Sequence, residues 1–88
     1  ILDLIKYQIS SLLVYQNKPD DAIIILESIN GDGIYNELSK IFLAEIYDYI
    51  KNDENIAAQY YLFILQEYPK SIHYENIRKR LRTILEKA

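Results

Sequence analysis

Eighty-eight residues make room for one small domain, and a chain this short must bury most of its apolar side chains. Half of the residues are hydrophobic and sixteen are isoleucine, while two glycines and two prolines leave little material for a many-turned β fold. Without cysteine there is neither a disulfide nor a thiolate metal site.

No apolar run approaches the ~20 residues that span a bilayer; the longest without tyrosine is the five from Ala22 to Leu26. The chain opens on Ile1 rather than methionine and reads as a fragment of a longer one, with which an upstream membrane anchor is compatible. The net charge of −3 is unevenly spread. Residues 1–68 carry four basic and eleven acidic side chains, and residues 69–88 carry six basic and two acidic. An acidic body argues against nucleic-acid binding. An acidic body with a basic last helix suits head-to-tail contact with another copy or another repeat.

Ile1, Leu2, Ile5, Ile9, Leu12 and Leu13 recur at helical spacing and predict a first helix to about Tyr15. Asn17-Lys18-Pro19-Asp20-Asp21 ends it and starts a second, because proline is tolerated in a first turn and aspartate suits the positive helix end. The second helix, Ala22 to about Ile29, is apolar nearly all round. Its triple isoleucine would also fit a buried strand, but helical signals flank it. Asn30-Gly31-Asp32-Gly33 is expected to stop it through left-handed glycine.

A third helix is predicted from about Tyr35 to Lys51, and Asn52-Asp53 turns the chain, with Asp53 as N-cap of a fourth. Pro69 ends the fourth near Tyr68. Ser71 is expected to cap a fifth helix facing inward through Ile77, Leu81, Ile84 and Leu85. The expected organisation is one all-α domain: a hairpin over about 1–30, a second over about 34–69, and a terminal helix over about 71–88.

The two hairpins share one plan. Ser10 precedes Ala22 by twelve residues and Ala44 precedes Ala57 by thirteen. Leu26 or Tyr61 follows four residues after the second alanine, and Ile29 or Ile64 seven after. This period and these positions, with Leu43-Ala44, Tyr47 and Pro69, resemble the tetratricopeptide repeat (TPR). The second hairpin departs by one extra residue in its turn and by Ile64 where a small residue is usual. Tyr68-Pro69-Lys70-Ser71 with Tyr74-Glu75 looks like the repeats of bacterial envelope TPR proteins. Asp21-Ala22, Leu26 to Gly33 and Ala44-Glu45 are similar to the TPR-like domain of the ancillary Sec translocon subunit.

The resemblance implies a right-handed array of hairpins, a scaffold role, and a setting on the periplasmic side of the bacterial inner membrane. It also implies that the first helix of each hairpin lines a concave groove. Tyr7, Ser11, Tyr15, Glu45, Asp48 and Tyr49 are the groove candidates, while Tyr47 and Tyr61 are expected in the core.

Little in the chain suggests chemistry. His73, the single histidine, has neither cysteine nor a second histidine to join it at a metal. Asn30-Gly-Asp32-Gly lacks the acidic ladder of a calcium loop and the Gly-Lys-Ser/Thr ending of a phosphate loop. Asp20-Asp21 and Asp53-Glu54 fall at helix starts, where the dipole explains them. The run Arg78-Lys79-Arg80-Leu81-Arg82 reads as a solvated face that could also touch phosphates, anionic lipid or an acidic partner, with Arg78 and Arg82 the partner-binding candidates. No enzyme activity, metal or cofactor is expected. The expected function is protein–protein interaction, with homo-oligomerisation through the terminal helices as the alternative.

Overall fold

The computed structural model describes residues 1–31 and 33–87, so Asp32 of the glycine cluster and Ala88, the last residue of the expected terminal helix, lie outside the described residues. Five helices follow in order: α1 (Leu2–Tyr15), α2 (Pro19–Glu27), α3 (Ile34–Glu45), α4 (Glu54–Glu67) and α5 (Tyr74–Lys87). A π-helical segment, Ile46–Ile50, prolongs α3. Each helix packs on the next, and α1 also touches α3. The expected all-α helical array is what the chain forms, with extents of 36 × 28 × 16 Å.

Small residues permit the close crossings. Ser10, Ala22, Ala44 and Ala57 are all completely buried, one on each of the first four helices. Around them lie two apolar clusters. The first joins α2 to α3 through Ala22, Ile23, Leu26, Ile29, Leu43 and Ile46. The second joins α3, α4 and α5 through Ala44, Tyr61, Ile64, Ile77, Leu81 and Ile84, with Ala57 at its centre. Tyr47 and Tyr60 stack at 5.9 Å between ring centroids and border both clusters. Each Leu or Ile so buried contributes about 1.5–3 kcal/mol relative to exposure, and this burial, not capping, holds most of the array together.

Both hairpin turns use a left-handed asparagine, Asn17 at φ 63° and Asn52 at φ 54°. At the first, Lys18 N–H donates to the Leu13 carbonyl at 2.8 Å and Asn17 N–H to that of Val14 at 3.0 Å. This is the Schellman closure of a helix end. At the second, Asp53 N–H donates to the Tyr47 carbonyl at 2.7 Å. Lys18 and Asp53 are 35 residues apart, whereas Leu13 and Tyr47 are 34 apart. The same closing bond therefore spans one more residue in the second hairpin, and the π-helical segment is where that residue is taken up.

Several sequence expectations need correction. Neither Gly31 nor Gly33 is left-handed. Gly33, at φ −83° and ψ 177°, precedes α3 in extended backbone. α2 is finished instead by side chains: Ser28 Oγ donates back to the Ile25 carbonyl, and Lys6 and Lys40 donate to the carbonyls of Ser28 and Ile29. Two ammonium groups there complement the negative end of the helix dipole. α5 begins at Tyr74, not at Ser71, whose Oγ accepts from His73 N–H in the preceding turn and donates to Glu37. Leu85 is 60% exposed because α4 covers α5 only along Ile77, Leu81 and Ile84. Asp53 does cap α4, accepting from Ile56 N–H at 3.2 Å.

Candidate interaction surface

A cleft of about 160 Å³ opens between the end of α3 and the start of α5, with Tyr61 of α4 beneath it. Ile41, Glu45 and Tyr49 form one wall, and His73, Asn76 and Arg80 the other. Enzyme and cofactor pockets run to ~300–1,000 Å³, so this cleft has room for one inserted side chain and little more. Tyr49 is 62% exposed at its rim, with the Arg80 guanidinium 5.4 Å from the ring centroid. That cation–π contact holds the ring while leaving much of it open to solvent.

Burial pushes the Glu45 carboxyl above its ordinary range, the positive charge of His73 opposes that, and the negative charge of Asp48 adds to it. Burial likewise raises the Tyr7 hydroxyl, with the negative charge of Glu45 and then Tyr35 contributing. Tyr7 itself is half-buried where α1 meets α3, its ring 5.7 Å from that of Tyr35 and 5.6 Å from that of Phe42.

Asp48 does not line the cleft, and here the sequence expectation is overturned. Its side chain is entirely shielded from solvent. Arg80 grips it with Nε at 2.7 Å from Oδ2 and Nη2 at 2.6 Å from Oδ1, while the Tyr61 hydroxyl donates to Oδ2 at 2.9 Å. The Arg80 hydrogen bonds hold the Asp48 carboxyl below the usual carboxylate range against the opposing effect of burial. Burial, then the bond to Asp48, pushes the Tyr61 hydroxyl up. The π-helical segment is the cause: a register of 34 pairs Leu13 with Tyr47, a register of 35 pairs Val14 with Tyr49, and Asp48 is left with no counterpart. The added residue turns inward.

The other candidates scatter. Ser11 is exposed on α1, and Tyr15, at 89% exposure, stands free at that helix's end. Arg78 pairs with Glu75 at 2.9 Å on the surface of α5, and Arg82 is exposed. Half of the basic tail is paired within the chain: besides Arg78, Arg80 and Lys87 both reach Glu54, at 3.2 and 2.9 Å. A larger groove of about 480 Å³ runs past Tyr47, Tyr60 and Phe63. There the Tyr60 hydroxyl donates weakly to Glu27 at 3.4 Å and is pushed up to about 12, chiefly by burial.

Sequence reasoning missed His73, Asn76 and Arg80 as cleft residues. Carrying the 35-residue register from Ile41 and Glu45 onto α5 lands on Asn76 and Arg80, so that signal was present. Among the described residues no group of three His, Asp or Glu side chains is placed to hold a metal, and no helix is long and apolar enough to cross a membrane. No protein-family model matches the chain, and neither curated proteins nor solved structures give a match.

Proposed function

We propose that the chain is a TPR-like protein-interaction module that receives a side chain of an extended peptide in the cleft between α3 and α5. The observation that carries this is the cleft itself. It joins an exposed tyrosine ring, a carboxyl whose pKa is raised and an asparagine on facing helices, in a volume fit for one side chain. Tyrosine offers a large, rigid contact area with a polar tip. Pairing of Arg80 with Asp48 and Glu54 behind the cleft keeps the wall that Arg80 forms preorganised. The repeat of small residues and asparagine turns supports the TPR reading. A scaffold on the periplasmic side of a bacterial inner membrane follows from the resemblance alone.

A peptide library panned on the immobilised chain, followed by polarisation titration of the selected peptides, tests this reading. Tyr49→Ala and Asn76→Ala are each expected to weaken binding about tenfold, equivalent to about 1.4 kcal/mol, without moving the thermal midpoint. Selected peptides that ignore both substitutions would place the binding surface elsewhere.

A further inference from the structure

The least explained surface of the molecule is the outer side of α1. Leu2, Ile5, Ile9 and Leu12 are 65, 44, 43 and 54% exposed, and they lie at intervals of three, four and three residues. That is the spacing of a coiled-coil seam, which presents one apolar stripe to a facing helix. The internal repeat shows what such a stripe does when covered. Ile9 and Leu12 correspond, at a separation of 34, to Leu43 of α3 and Ile46 at the start of the π-helical segment, and both of those are buried in the cluster that α2 forms with α3. No helix among the described residues performs that service for α1.

The stripe is also its own mirror. Read from either end it is leucine, isoleucine, isoleucine, leucine, with the same three-four-three spacing. A twofold axis through the level of Tyr7 sets Leu2 against Leu12 of a second copy and Ile5 against Ile9. Asp3 and Lys6 lie off the stripe, Asp3 beside Gly31 and Lys6 donating to the Ser28 carbonyl, so no like charges meet across the axis. Asp3 and Lys6 are the only charged residues of α1. An isologous contact requires this kind of self-complementarity.

We propose that the outer face of α1 is an antiparallel, twofold interface between two copies of this chain. The fourteen residues of α1 extend about 21 Å, enough for roughly half of the ~800 Å² per partner that stable dimers bury. An interface of that size makes a weak, concentration-dependent dimer. It leaves the α3–α5 cleft free, so it would present two clefts per assembly.

Sedimentation equilibrium from micromolar to millimolar concentration, on the full chain and on Ile9→Glu, is the first test. The full chain should pass from monomer to dimer, and the substitution should weaken association by at least about tenfold with unchanged helix content. Because the chain has no cysteine, a second measurement reads the geometry directly. Under mild oxidation, a mixture of Leu2→Cys and Leu12→Cys chains should cross-link to each other in preference to either alone. A chain that stays monomeric throughout overturns the proposal, and so does a dimer indifferent to Ile9→Glu. Preferential Leu2→Cys self-linking would show a parallel pair and overturn it equally.

Discussion

Arg80 of α5 and Asp48 of the π-helical segment, 32 residues apart in sequence, meet as a two-bonded fork around which Tyr61, Glu54 and Lys87 gather. It joins the terminal helix to the second hairpin by a contact other than apolar burial. Its geometry is favourable, but a buried pair is weak proof of net stability, because desolving both charges opposes their attraction. What the geometry does fix is the cost of breaking it from one side.

Arg80→Ala leaves the shielded carboxylate of Asp48 with the Tyr61 hydroxyl alone. The expected loss is about 3 kcal/mol, at the lower end for a broken buried pair because Arg80 itself keeps some solvent contact. Arg80→Lys should recover only part of it, since an ammonium keeps the charge but cannot form the fork. Urea unfolding midpoints of the three proteins decide this, and equal midpoints would remove the fork from the account of stability.

The same pair predicts an acid limb. The folded state depresses the Asp48 pKa, so its stabilisation is complete above the unfolded carboxylate value near ~3.9 and disappears as pH falls toward the lower folded value. Glu45 runs the other way: its pKa is raised, so protonation from just above its unfolded value relieves a cost of folding. Stability should therefore hold or rise slightly on acidification through the Glu45 range, then fall below about 4. Asp48→Asn should flatten the fall, and Glu45→Gln should abolish the preceding rise. Denaturant melts at half-unit pH steps measure both.

At the hairpin crossings size decides. Ala57→Leu adds three heavy atoms to a completely buried site at a helix crossing and is expected to cost about 2 kcal/mol. Ser10→Ala should change stability by less than about 0.5 kcal/mol, because the Ser10 hydroxyl donates only to the Lys6 carbonyl of its own helix. Thermal unfolding of the pair separates a size constraint from a hydrogen-bond requirement.

The left-handed turns make a matched test. Asn17→Ala and Asn52→Ala should each destabilise by about 1 kcal/mol, whereas the glycine substitutions should be neutral or better. Four melting curves suffice, and equal effects of alanine and glycine would mean that backbone handedness is not what selects asparagine.

The helices were legible because amphipathic spacing, Pro19, Asp53 and Pro69 all mark the same boundaries. So were the small residues at the crossings, since two sets repeat at nearly one interval. Glycine was the wrong place to look for left-handed backbone: asparagine tolerates it too, and only the closing hydrogen bonds reveal which residue has taken the role. Asp48 was misplaced because helical periodicity assumes an unbroken 3.6-residue turn, and the π-helical segment that prolongs α3 breaks that phase. Leu85 was assigned inward from its chemistry, yet inward direction depends on how much of α5 a neighbour covers, which composition does not carry.

One residue added to a helix would ordinarily rotate everything beyond it by about 100°. Widening a single turn between Ile46 and Ile50 confines that rotation, so both the upstream crossing at Ala44 and the downstream one at Ala57 keep their partners. The second hairpin has thereby gained an inward carboxylate, and with it an attachment point for whatever helix follows, at no change in the stacking of its two helices. An array assembled from such units can acquire a new joint through one codon, without redesigning any surface that already packs.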